Sequence, residues 1–245
     1  MANKRKSEDE PVHRPVKALL SESLEQEASL ETLDLLSSHE RVSDDFWTQP
    51  TRDLAASLLN KLLIRRFPDP NSQDTKHLLI ARIVETEAYL GAEDKASHSY
   101  RGQTARNKAM FMPAGTCYVY NIYGTMQCVN VSSAEEGAAV LIRAAQPLHG
   151  LQQMSSHRKR NALKDLCSGP SKLCQALAIT KALDQVDLLT SDELYIAQNP
   201  FHPPITGSEV ALSKRIGMGK AAEEWKDALL RFCIPDDPFL SAKSV

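Results

Sequence analysis

From Lys76 to Tyr89 the chain is mostly apolar, rich in Leu and Ile, and turns polar only where it reaches Glu85 and Glu87. That pattern predicts a strand that runs inside a sheet and leaves the core at its end. A period of two puts Ile83, Glu85, Glu87 and Tyr89 on one face and Val84, Thr86 and Ala88 on the other. Gly91 then permits a sharp departure. Upstream, the spacing of apolar residues from Leu54 to Leu63 predicts an amphipathic helix, with Leu62 to Phe67 turning into a strand. Pro68 to Ser72 is a loop, so the two strands are expected to pair as a hairpin. Downstream, Thr116 to Ile122 and Met126 to Ser132 alternate as partner strands, and Ala138 to Ala144 adds a more buried one. Leu148 to Leu166 reads as a basic helical region, and Ser168 or Ser171 is placed to cap the helix that follows. These elements are expected to form a single domain over residues 41–245.

Composition changes this picture in three ways. At 245 residues and 42% hydrophobic content, the chain has enough apolar material for one substantial core. Residues 1–40 mix Lys4-Arg5-Lys6 with many acids and read as a disordered charged tail, with the basic triplet either a solubilising terminus or a short nuclear address. No apolar run is long enough to span a bilayer, so no membrane partner is expected. Five cysteines without a Cys-x-x-Cys pair argue against a disulfide framework or a structural zinc and for reduced, buried thiols. The net charge of −2 hides a basic middle: from His98 to Lys181 there are ten Lys and Arg against three Asp and Glu. Such a block is either a solvated face or a surface that neutralises phosphates.

The candidate chemistry collects around the organising strand. A carboxylate beside a buried sheet, followed by an aromatic and by His98, suits a site that deprotonates water while flat side chains hold a ring. Tyr118, Tyr120 and Tyr123 fall within six residues. Strand propensity alone accounts for Tyr118, whereas Tyr123 beside Gly124 is an aromatic at a tight turn, shaped to insert between stacked bases. Asn130 and Arg143 are polar at core-like positions, and each needs a partner from protein, water or ligand.

These residues carry a resemblance. The chain from about Asp45 to Phe239 resembles the alkyladenine (3-methyladenine) DNA glycosylases of eukaryotic type. The most specific motifs are Ala81-Arg-Ile-Val-Glu-Thr-Glu-Ala-Tyr-Leu-Gly91 with His98, Tyr118-Val-Tyr120 with Ile122-Tyr-Gly124, Asn130, Arg143, and Cys167-Ser-Gly-Pro-Ser-Lys-Leu-Cys174. The resemblance implies an α/β (α+β) fold, a single compact domain with a curved antiparallel sheet flanked by helices, and a monofunctional enzyme of base excision repair, with neither metal nor organic cofactor, that flips alkylated purines, hypoxanthine and ethenoadenine out of double-stranded DNA. It implies a monomer lying along the minor groove, working in the nucleus ahead of downstream repair proteins. Carried over residue by residue, Glu87 is the general base, with Arg143 and the backbone carbonyl of Ile216 helping to hold the water. Tyr89, His98 and Tyr120 enclose the base, and Asn130 crowds the exocyclic amino group of normal guanine. Tyr123 is the wedge, with Lys172 and Lys181 on phosphates. Thr125 and Met126 beside the wedge depart from the bulkier pair expected of vertebrate relatives, and the loop after His98 is one residue shorter. Two rivals use the same residues: a non-catalytic binder of distorted DNA, and a small-molecule enzyme that binds a free purine. Glu87 argues against the first, because a pure binder gains nothing from a carboxylate beside phosphates.

Overall fold

Eight strands accommodate the alternating stretches: β1 (Leu62–Pro68), β2 (Lys76–Tyr89), β3 (Cys117–Ile122), β4 (Met126–Ser132), β5 (Ala139–His149), β6 (Leu194–Ala197), β7 (Ala211–Lys214) and β8 (Leu229–Cys233). Three α-helices accompany them among the described residues: α1 (Thr51–Ser57), α2 (Leu151–Arg158) and α3 (Pro170–Ala176). The computed structural model describes residues 40–68, 76–122, 124–205, 207–218 and 220–243. Almost all of the expected tail, and Tyr123, lie outside the described residues.

All the strand pairs are antiparallel, in the order β3-β4-β5-β2-β1-β6, with β8 also beside β2 and β7 outside β8. This is an open antiparallel sheet in an α+β fold, the class the resemblance implies. Leu79, Ala81, Val129, Val131, Val140 and Ile142 pack from the sheet against Leu54, Met154 and Leu173 of the three helices, forming one main core. Burial of each such large side chain contributes roughly 1.5–3 kcal/mol. All five cysteines are free and buried.

Four local expectations need correction. The first helix covers only Thr51–Ser57, because Asn60 adopts a left-handed φ of 65° and Leu62 and Leu63 already belong to β1. Asn tolerates that conformation, so the chain reverses there without a glycine. The basic region after Leu148 is a strand end through His149 and then a short helix, Leu151–Arg158. Neither Ser168 nor Ser171 caps α3: Gly169 occupies the cap position and no side chain bonds there.

The fourth correction concerns the organising strand. Along one edge β2 pairs with β1 up to Arg82 and then with β8 at Glu85–Glu87, while β5 runs along its other edge. Register shifts between Ile83 and Glu85, and between Glu85 and Thr86, mark an irregularity at the change of partner. An extra residue there resets the alternation. Ile83 consequently packs in the main core with Ala88, on the side where the Thr86 hydroxyl donates to the Ala55 carbonyl of α1 at 2.7 Å. It does not share a face with Glu85 and Glu87.

Candidate active site

Glu87 is fully buried near the end of β2 and is held from three directions. The Ile216 amide donates to one carboxylate oxygen at 2.8 Å. The Tyr89 hydroxyl donates to the other at 2.9 Å, and Arg143 Nη1 approaches that same oxygen at 3.2 Å. Alternation within β2 brings Tyr89 beside Glu87, whereas β5 delivers Arg143 from the neighbouring strand. Burial, the largest influence, pushes the Glu87 carboxyl above its ordinary range. Arg143, the Ile216 amide and the Tyr89 hydroxyl hold it down, and Glu85 adds to the rise. A carboxylate poised upward in this way is a better proton acceptor near neutral pH than a solvated one.

Tyr89 joins this carboxylate to a cleft of about 270 Å³ lined by His98, Met110, Tyr118, Tyr120, Asn130 and Met218 as well. The His98 and Tyr120 rings meet edge-on with centroids 4.5 Å apart, and Tyr118 and Tyr120 lie 5.4 Å apart, tilted by 32°. His98 Nδ1 shares a hydrogen bond of 2.9 Å with the Tyr118 hydroxyl. The outer edge of His98 faces solvent, yet its packed inner edge, with Arg106 nearby, pushes the imidazole down to about 4. The ring is therefore neutral at physiological pH. The cleft walls are largely aromatic, with Lys95 at the edge, and suit a flat ring. Asn130 is buried and donates to the Tyr118 carbonyl at 3.1 Å.

The structure thus brings Arg143 and Ile216 each against Glu87 and gathers Tyr89, His98, Tyr120 and Asn130 around one cleft. Ile216 meets Glu87 through its amide, a contact separate from the water-holding role expected of its carbonyl. Thr125, Met126 and Lys172 line a separate shallow groove of about 520 Å³ with His157 and Arg158. Lys181 stands apart from both, donating to Asp184 at 2.6 Å and to the Val119 carbonyl at 2.8 Å. Among the described residues, no group of three or more His, Cys, Asp or Glu side chains is placed to hold a metal ion.

Several supporting residues escape sequence reasoning. Tyr118, explicable from strand propensity alone, lines the cleft and positions His98. Its place two residues before Tyr120 on one strand face was the available signal. Arg215 and Asp94, both fully buried, form a two-pronged pair at 2.5 and 2.9 Å. Arg215 also lies 4.6 Å over the Tyr89 ring. Asp94 accepts the Leu90 and Ala96 amides, tying the end of β2 to the loop that carries His98. More than a hundred residues separate Asp94 from Arg215, and no local pattern links them.

A buried carboxylate beside an aromatic cleft, on a chain with a basic middle, fits a class: hydrolases that activate water next to a bound flat ring. The comparisons with known proteins identify the family. Residues 45–238 match the family described as methylpurine-DNA glycosylase, and the chain belongs to that family. Over 211 residues, 82% of this chain, it is 46% identical to the DNA-3-methyladenine glycosylase of Homo sapiens, covering 68% of that protein. It is 47% identical to that of Mus musculus, spanning 61% of its length. It is 44% identical over 195 residues, 78% of this chain, to a probable DNA-3-methyladenine glycosylase of Encephalitozoon cuniculi, covering 88% of it.

Proposed function

We propose that the protein is a monofunctional DNA N-glycosylase of base excision repair that excises 3-methyladenine, 7-methylguanine, hypoxanthine and ethenoadenine, leaving an abasic site. The observation that carries this reading is the position of Glu87, a buried carboxylate held by Arg143, the Ile216 amide and Tyr89 beside an aromatic cleft. In the reaction Glu87 accepts a proton from water as its oxygen bonds to C1′ of the sugar. The C1′–N bond breaks and its electron pair leaves with the base. 3-Methyladenine and 7-methylguanine are cationic in the nucleotide and depart as neutral bases, so they need little acid assistance; neutral hypoxanthine and ethenoadenine depart as anions that take up a proton from solvent. The tyrosine faces favour the cationic bases, and the His98 imidazole, held low by packing and by Arg106, adds no positive charge at neutral pH. Stacking on such faces is worth roughly 1–3 kcal/mol per base, which offsets much of the unstacking cost.

The remaining roles follow the family motif. Tyr123 is the wedge, Asn130 excludes guanine, and Lys172 and Lys181 contact phosphates, with Thr125 and Met126 flanking the wedge along the minor groove. The enzyme acts as a monomer in the nucleus on damaged double-stranded DNA and hands the abasic site to downstream repair proteins. Residues 1–40 serve as a charged tail to the catalytic domain at 41–245.

The test is single-turnover release of hypoxanthine and ethenoadenine from a labelled duplex by wild type and Glu87→Gln, with and without hot alkali. Strand breaks that appear only with wild type and only after alkali support a monofunctional glycosylase using Glu87. Wild-type binding with no base release refutes it and favours a non-catalytic binder.

A further inference from the structure

The chain after β8 turns back across the sheet and reaches the ion pairs behind Glu87. Its first anchor is Asp237, which pairs with Arg82 of β2 at 2.6 Å, both side chains nearly buried. Four residues on, the Ser241 amide donates to Glu85 Oε2 at 2.6 Å and its hydroxyl donates to Glu85 Oε1 at 2.7 Å. Arg231 of β8 closes the arrangement, donating to Glu85 Oε1 at 2.7 Å and to the Ala242 carbonyl at 2.6 Å. The segment 237–243 is therefore a strap pinned at both ends. Ser241 to Lys243 lie past residue 238, where the match to the family ends.

Glu85 matters because of what its other contact does. It is fully buried and accepts from Arg143 Nε at 3.1 Å, while Nη1 of the same guanidinium faces Glu87 at 3.2 Å. A planar guanidinium gripped at Nε cannot rotate about its long axis, so the direction of Nη1 is set by where Glu85 sits. Glu85 in turn is placed by Ser241 and Arg231. A second contact, Arg143 Nη2 to the Ser241 hydroxyl at 3.5 Å, runs to the same serine. Glu85 is thus held by four donors, three at Oε1 and the Ser241 amide at Oε2.

We propose that Glu85 and Ser241 are positioning residues of the excision reaction: the strap 237–243 fixes Glu85, Glu85 fixes the Arg143 guanidinium, and Arg143 orients the Glu87 carboxylate toward water. The proposal rests on the glycosylase reading above. It assigns the strap a part in the chemical step beyond holding the fold together.

The test uses the full chain and compares wild type with Ser241→Ala, Ser241→Thr and Glu85→Gln. Three readings are taken: affinity for ethenoadenine duplex, single-turnover excision rate at saturating enzyme, and melting temperature. Ser241→Ala removes one donor to Glu85 and keeps the amide, so lesion affinity stays within about twofold while the excision rate falls about 10-fold, since small misplacements of catalytic groups are costly. Ser241→Thr, which keeps the hydroxyl, restores the rate. Glu85→Gln keeps the volume and removes the charge, and its rate falls further than that of Ser241→Ala at similar affinity. A strap that only supports the fold would lower the melting temperature of Ser241→Ala and leave the saturated rate at the wild-type value, which overturns the proposal. Equal rates for Ser241→Ala and Ser241→Thr overturn it as well, and remain decisive if Glu85→Gln does not fold. If wild type itself releases no base, the glycosylase reading fails and this proposal with it. A wild type that excises alongside an unaffected Ser241→Ala sinks the strap alone.

Discussion

Replacing Arg143 by methionine isolates what its charge does for Glu87. The side chain is 8% exposed and lies between two carboxylates that are fully buried. Without it Glu85 keeps Arg231 and both donors of Ser241. Glu87 keeps the Ile216 amide and the Tyr89 hydroxyl, but loses the cation that most offsets its burial. Breaking a buried pair costs about 3–5 kcal/mol, and the surviving partners of Glu85 place this variant near the lower end, about 3 kcal/mol at neutral pH. The pH dependence has a definite sign. Glu87 in the folded protein already titrates above its unfolded value because of burial, and losing Arg143 raises it further. Below the unfolded value of about 4.3 both states are protonated and this part of the penalty is absent. Between that value and the folded value of wild type both folded proteins keep the proton and lose stability alike; above it only the variant, with its higher folded value, goes on losing, so its deficit grows. Urea denaturation of both proteins at pH 4 and pH 7.5 should show a deficit that grows with pH. At pH 7.5 the excision rate should also fall by at least about 100-fold, as expected when a general base is left protonated and misdirected. A stability deficit equal at both pH values, or a neutral excision rate like wild type, would refute the reasoning.

The cleft and its hinge give three more expectations. Tyr89→Phe keeps the ring and removes one donor to Glu87, so lesion affinity should hold while single-turnover excision drops about 10-fold, in line with a hydrogen bond to a charged group. His98 should show no imidazole titration between pH 5.5 and 8 by proton NMR, with its midpoint depressed to about 4 by packing and by Arg106; a midpoint near 6.5 would contradict the packing of the ring. Gly91→Ala should destabilise the fold by about 2 kcal/mol in chemical denaturation, because its φ is +77° and a Cβ would sit 2.7 Å from the Glu136 carbonyl oxygen.

Much of this was legible in the chain because β2 and its neighbours encode burial locally. A period of two put Glu87 and Tyr89 together, and the polar Asn130 and Arg143 inside apolar strands announced that partners had to exist. Family motifs then attached roles to the same residues. The same local logic misplaced Ile83 and overran the first helix. Alternation cannot register an irregularity created where β2 exchanges β1 for β8, and helical spacing cannot see that Asn60 turns the chain.

Sequence by itself determined the residue types of the site, the strands that carry them and the family to which they belong, since these depend on neighbours a few positions apart. Tertiary structure alone decided which charges meet. Glu85 answers to Arg231 and Ser241 across 146 and 156 positions, Asp94 to Arg215 across 121, and the amide that holds Glu87 comes from Ile216, 129 positions away. Such contacts arise because burial in a shared core leaves a charge no water to turn to. Each must then find its partner wherever the sheet order brings one within reach.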